Sequence, residues 1–307
     1  MLSFSYTAAV TRSRLYAFLL LAAANLLWAG NWVIGRALRD AFDPVTLNFW
    51  RWLIATVLLA PFALPGLARK GAALRRHAGI VLLLSFTGVV AFQTLVYLGL
   101  RTTTTINAVL LNSASPLFVL LCAWILERER TTLRQVAGML ISLAGILVIL
   151  SRGEPGHLLE LEVHAGDAWI VLAVAIWGLY SVLLKRRPAE LGGVEFLFAL
   201  SVAGVLMMVP LYGLEILHQP PHWPTPAEAM GLVYFGLAAS VLGFTFWNRG
   251  VATVGANAAG FTLHLLPAFG TVLAIIFLGE AFGAFHAVGI ATILAGVFLA
   301  TSKPVSH

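Results

Sequence analysis

Apolar residues run through this chain in ten long stretches, each closed by a short polar or charged loop. The stretches cover roughly 15–35, 44–65, 78–100, 106–126, 134–151, 167–185, 194–214, 227–248, 256–279 and 284–302. A bilayer core of about 30 Å takes about 20 residues of helix at 1.5 Å rise per residue. In lipid only internally bonded helices or closed barrels satisfy the backbone, so runs of this length predict ten transmembrane helices in an all-α membrane protein. The first run follows Arg12 and Arg14 and passes through Ala22, Ala23 and Ala24, as a secretory signal would. It continues apolar through Trp28 to Gly35 and is echoed by the sixth stretch, so it reads as a span.

The pattern repeats. Pro116, Glu129, Gly138 and Gly145 return as Pro267, Glu280, Gly289 and Gly296, every member shifted by 151 positions. The repeats occupy residues 15–151 and 167–302, five spans in each. An odd number of spans sends the second copy into the membrane upside down. Inverted repeats of this kind mark secondary transporters, with the substrate site between the repeats near the midplane.

Composition removes the soluble classes. Of 307 residues, 60% are hydrophobic and 10% charged, with a mean hydropathy of +0.92, where a soluble domain carries about a quarter charged. The formal charge of +6 is scattered in short loops and fits the positive-inside bias better than a nucleic-acid surface. With the N-terminus in the cytoplasm, fourteen of the nineteen Lys and Arg fall on the inner side, among them Arg69, Lys70, Arg75, Arg76, Arg128, Lys185 and Arg186. Only Arg36, Arg39, Arg101 and Arg152 fall outside, while the outer loops carry Glu154, Glu162, Asp167, Glu215 and Glu228. Both termini are then cytoplasmic. The single cysteine, Cys122, lies in an apolar run and reads as a small core residue. No metal-ligand spacing, phosphate-cradling glycine loop or carboxylate motif appears. No cofactor, metal or catalytic group is expected. The expected partners are a small-molecule substrate and the lipid bilayer, with no nucleic acid, in a monomer or weak homo-oligomer.

The motif residues resemble a known family. Pro116, Glu129, Gly138 and Leu143-Ala144-Gly145, with the echo Pro267, Gly279-Glu280, Gly289 and Leu294-Ala295-Gly296, are similar to the EamA-type repeat of the drug/metabolite transporter superfamily. Trp28-Ala29-Gly30-Asn31-Trp32, Arg51, and the pairs Asn107-Ala108 and Asn257-Ala258 fit the same pattern. The likeness covers about residues 15–302. Within the family, length and aromatic content most resemble bacterial inner-membrane exporters of aromatic and other neutral amino acids. The resemblance implies a basket of helices 1–4 and 6–9 around a central cavity, with helices 5 and 10 at the periphery. The glycine pairs, seven residues apart on one helical face, agree with close packing of those two helices.

Several polar side chains stand where lipid gives them no partner. Arg51 lies about two turns inside the second span. It reads either as a structural arginine that snorkels or caps helix-end carbonyls, or as the receptor of a substrate carboxylate or a gate partner of Asp40 or Asp43. Trp28, Asn31 and Trp32 share one face of the first span, and Trp177, Tyr180 and Ser181 repeat that spacing in the sixth. They read as cavity lining, with an interfacial aromatic belt as the bland alternative. Gln93, Tyr97 and Asn112 add polar groups at mid-depth. His264 reads as a cavity residue or as the partner of a carbonyl freed by Pro267. Pro116 and Pro267 interrupt equivalent spans and serve as a hinge or as static kinks. No Asp or Glu occupies the middle of a span, which argues against carboxylate-based exchange of lipophilic cations.

Taken together, these residues predict a secondary transporter that exports small zwitterionic metabolites, above all neutral or aromatic amino acids, by alternating access through a central cavity. Nucleobases, nucleosides or sugar derivatives are the alternative cargo on the same fold. A membrane-embedded enzyme would need a metal cluster or activated nucleophile, and the sequence offers neither.

Overall fold

A computed structural model describes residues 2–38, 41–103, 105–159, 161–218, 222–278 and 281–302. Arg39, Asp40, Gly279 and Glu280, and the side chains of Trp32 and Arg36, lie outside the described residues. Among the described residues the regular structure is entirely helical, and ten helices are long and apolar enough to cross a membrane. They are α1 (Ser13–Asn31, within a longer helix Leu2–Leu38), α2 (Pro44–Leu67), α3 (Ala78–Leu100), α4 (Asn107–Glu127) and α5 (Leu133–Leu150). The second set is α6 (Ala165–Arg186), α7 (Gly193–His218), α8 (Pro226–Val254), α9 (Ala256–Phe277) and α10 (Ala284–Thr301).

Local chemistry sets the ends. Pro44 and Pro226 open α2 and α8 in the first turn, where a missing N–H costs nothing. Thr132 with Gln135, and Thr225 with Glu228, cap α5 and α8 reciprocally. Between α8 and α9 the chain reverses at Gly255 with φ +87°, a conformation that suits glycine alone.

Equivalent helices of the two repeats pack antiparallel. A Cβ on Gly138 of α5 would lie 2.6 Å from the Gly296 carbonyl of α10, and one on Gly145 would lie 2.6 Å from that of Gly289. The register rises on one helix as it falls on the other. The same holds for α2 and α7, where Thr46 meets Glu215 and Gly66 meets Glu195. It holds again for α4 and α9, where Ser113 meets His264 and Glu129 meets Asn257. The repeats are therefore inverted, and α5 and α10 join them through bare glycine backbone that no larger side chain would permit.

The repeats share their irregularities as well. α3 loosens to a π turn over Phe86–Ala91, and α8 does so over Phe235–Leu242. α4 breaks at Ser113 and Ala114 before the segment Ser115–Glu127, which holds Pro116 in its first turn. α9 tightens to a 3-10 turn over Thr262–His264, just ahead of Pro267.

Ten spans place the start of α1 and the end of α10 on one side of the molecule, the terminal end, opposite a far end. At the terminal end Glu129 binds Lys185 and accepts from Asn257 Nδ2 at 2.7 Å, and Lys70 meets Glu195 at 2.8 Å. At the far end Arg101 pairs with Asp43, and Asp167 accepts from Thr103 and, at 3.0 Å, from Asn107.

Candidate functional site

A cavity of about 50 Å³ lies among α1, α2, α3, α4, α6, α8 and α9, in the half of the fold nearer the far end. It has room for a few waters, since one water centre needs about 10–15 Å³. Its walls must part to admit a metabolite.

Helical spacing builds each wall. α1 contributes Trp28 and Asn31, with Gly35 one turn beyond, at i, i+3 and i+7 on one face. α3 contributes Gln93 and Tyr97 together with Phe92, Val96 and Leu100. Asn112 and Ser115 flank the break in α4, and both polar residues line the cavity.

The floor is aromatic. Trp28 stands edge-on to Trp177 at 5.2 Å and to Phe244 at 5.8 Å, and Phe92 tilts against Trp177 at 4.8 Å. Below these rings Trp52, Trp247 and Tyr180 fill the core without any gap to the solvent. Trp28 is held in place by its Nε1, which donates to the Ala239 carbonyl at 2.9 Å. The buried Nε1 of Trp177 has no hydrogen-bond partner among the described residues.

Arg51 supplies the charge. It is 2% exposed, yet it lines the cavity. Nε donates to Ser240 Oγ at 2.6 Å, Nη1 to Asn31 Oδ1 at 3.2 Å and Nη2 to the Ala239 carbonyl at 3.4 Å. Among the described residues it has no carboxylate partner. A guanidinium carries five N–H donors, so two stay available. The Tyr97 hydroxyl lies beside Arg51, Gln93 and Asn31 without a hydrogen bond of good geometry to any of them. One turn before Arg51, Asn48 Nδ2 donates to the Val89 carbonyl at 2.9 Å and to Thr94 Oγ1 at 3.0 Å. Asn48 and Arg51 of α2 thus reach the π turns of both repeats. A π turn breaks the regular ladder and leaves carbonyls open to side chains.

The cavity gathers seven of the residues singled out in the sequence: Trp28, Asn31, Arg51, Gln93, Tyr97, Asn112 and Trp177. Two others point elsewhere. The Tyr180 hydroxyl donates to Asn248 Oδ1 at 3.0 Å beneath the aromatic floor. His264 bonds Ser142 through Nδ1 and the Ser113 carbonyl through Nε2 at 2.9 Å, away from the walls. The break in α4 frees that carbonyl, and this is why the imidazole turns to it. The Trp32 side chain lies outside the described residues. Sequence reasoning missed Ser240, Phe92 and Phe244. Apolar spacing marks an aromatic ring as buried without telling a cavity wall from a core, and a lone serine in a span carries no signal of its own.

The sequence profile of the EamA-like transporter family matches residues 15–151 and 164–302. A probable terminal-alkyne amino-acid exporter of Streptantibioticus cattleyicolor is 32% identical over 281 residues, 91% of each chain. An uncharacterized transporter of Archaeoglobus fulgidus is 28% identical, over 93% of this chain and 97% of its own. The aromatic amino acid exporter YddG of Ancylobacter novellus is 27% identical over 186 residues, 61% of this chain and 63% of its own. A solved crystal structure shares the fold with a TM-score of 0.74 at 24% identity, covering 93% of this chain and 97% of that one.

Proposed function

The chain belongs to the EamA-like transporter family, and on that premise we propose that it exports small zwitterionic metabolites, above all neutral and aromatic amino acids. One observation carries this reading. An aromatic-walled cavity holds a buried arginine with two donors left over from these bonds and, among the described residues, no acid to neutralise it. An isolated buried cation is costly, and a substrate carboxylate meets the two donors in the bidentate geometry that guanidinium favours. The ammonium of the substrate would turn to the amide oxygens of Gln93 and Asn112, or to the faces of Trp28 and Trp177. The apolar side chain would rest on the same rings. An aromatic surface with few polar contacts selects by class rather than by individual compound.

In this reading the two repeats, 15–151 and 167–302, rock against each other, with the breaks ahead of Pro116 and Pro267 as hinges. The terminal end is cytoplasmic, as the distribution of Lys and Arg indicates, in a bacterial inner membrane. A single chain builds the whole cavity, so a monomer suffices. The relatives named as amino-acid exporters support the direction and the cargo.

The test is uptake of radiolabelled phenylalanine, threonine and methionine by proteoliposomes of the purified protein, with and without a pH gradient. Saturable flux that Trp28→Ala abolishes is expected. Flux of labelled nucleosides with none of any amino acid would transfer the site to planar bases.

A further inference from the structure

We propose that Ser240, in the π turn of α8, is a positioning residue that aims Arg51 at the substrate carboxylate. The inference rests on the amino-acid reading of the cavity and adds the group that gives the arginine its orientation.

The geometry at residues 239 and 240 is specific. The Ala239 carbonyl accepts from Trp28 Nε1 at 2.9 Å and from Arg51 Nη2 at 3.4 Å. Ser240 Oγ accepts from Arg51 Nε at 2.6 Å. Two adjacent residues of one π turn thus anchor both the aromatic wall and the charge of the cavity. Contacts to Nε and to one N–H of each Nη fix the guanidinium plane and leave two donors for a carboxylate.

Ser240 differs from other buried serines of this protein. Ser85, Ser113 and Ser201 each donate to a carbonyl of their own helix, at 2.8, 2.7 and 2.9 Å. That is the usual way for a serine to satisfy itself inside a span. Ser240 instead accepts a hydrogen bond from another helix, 189 positions away in sequence.

The first repeat provides an internal control. A shift of 149 carries the π turn that starts at Phe86 onto the one that starts at Phe235, and carries Trp28 onto Trp177. Under that shift Ser240 corresponds to Ala91. The π turn of α3 gives its carbonyls to the neutral Asn48, and no hydroxyl stands at that place. The hydroxyl occurs in the repeat whose π turn holds the cation.

The experiment compares wild type, Ser240→Ala and Ser240→Thr in proteoliposomes, by saturation with labelled phenylalanine and by competition. One competitor, 3-phenylpropionate, keeps the ring and the carboxylate. The other, phenylalanine amide, keeps the ring and the amine and lacks the carboxylate. Ser240→Ala is expected to raise the half-saturation concentration about tenfold, the scale of one hydrogen bond to a charged group, with a maximal rate within about twofold of wild type. Inhibition by 3-phenylpropionate should weaken in parallel, inhibition by the amide should not change, and Ser240→Thr should restore both. A lower maximal rate at unchanged half-saturation, or equal weakening of both competitors, would assign Ser240 to helix packing and overturn the proposal. Wild-type protein that moves no amino acid, or whose flux 3-phenylpropionate leaves untouched, overturns the amino-acid reading and the positioning role with it. Intact wild-type flux with an unaffected Ser240→Ala variant overturns the positioning role alone.

Discussion

α2 and α7 are the same helix in two copies, and they carry opposite chemistry. Thr46 meets Glu215 and Gly66 meets Glu195; the same shift of 149 that relates the π turns exchanges these two contacts. On that register Asn48 of α2 corresponds to Leu197 of α7, and Arg51 to Leu200. Both leucines are fully buried in the central core. In return α7 carries both carboxylates of the pair: Glu215 accepts from the Thr46 N–H at 2.7 Å at the start of α2, and Glu195 takes Lys70 just past its end. In the proposed function one copy binds and the other holds. The inverted fold supplies a symmetric frame with matching π turns and breaks, while a few substitutions put the polar chemistry on one side of it. A zwitterion has a single carboxylate, and under the proposed function one Arg51 without a counterpart would give it one orientation.

That comparison can be broken in four places. Arg51→Met removes the charge at similar volume and is expected to lower phenylalanine flux at low substrate about a hundredfold, through two charged hydrogen bonds. The Ala239 carbonyl keeps its Trp28 donor, and loss of a buried charge offsets the Asn31 and Ser240 acceptors left behind, so the thermal midpoint in detergent should fall only slightly. Leu200→Ala, the matching change in α7, should do the reverse. It opens a hole in the core and costs about 2–5 kcal/mol of stability, read as a lower midpoint, with the half-saturation concentration of the folded protein unchanged. Asn48→Leu makes α2 more like α7 and strands the Val89 carbonyl, which costs about 1–3 kcal/mol; hydrogen exchange in residues 86–91 should rise. Glu195→Gln weakens a pair whose lysine side chain is 34% exposed, for a loss under about 1 kcal/mol that disappears at high salt. Equal flux losses in Arg51→Met and Leu200→Ala would erase the division between the two helices.

Much of this was legible in the sequence, because lipid leaves few choices. Ten apolar runs had to be helices, and the recurrence of Pro116, Gly138 and Gly145 at a fixed shift revealed the repeat and the close-packing faces of α5 and α10, while their contact with each other came from the structure. Polar residues with no partner in lipid had to turn inward, which located Asn31, Arg51, Gln93 and Asn112. The destination of an inward residue is a matter of packing, and there the sequence was silent. His264 and Tyr180 were as buried and as polar as Gln93, yet they bond Ser113 and Asn248 instead of the cavity. The π turns left no trace in the sequence, since one residue too many in a turn alters neither composition nor hydropathy. Ser240 was invisible for that reason, because its partner is set by the π turn that carries it.

The bond between His264 and the Ser113 carbonyl joins two positions 151 apart, which are each other's counterparts in the repeat. A contact between counterparts can occur only on the line about which the halves are interchanged. Exchanging the two halves swaps the residues at either end of this bond and leaves the same pair in contact. By contrast, the contact of Gly138 with Gly296 passes under the same shift to that of Gly289 with Gly145. The imidazole therefore stands on the line that a reversal of the repeats does not displace, as do the touching counterparts Trp28 and Trp177, like the knife edge of a balance whose two pans rise and fall in turn.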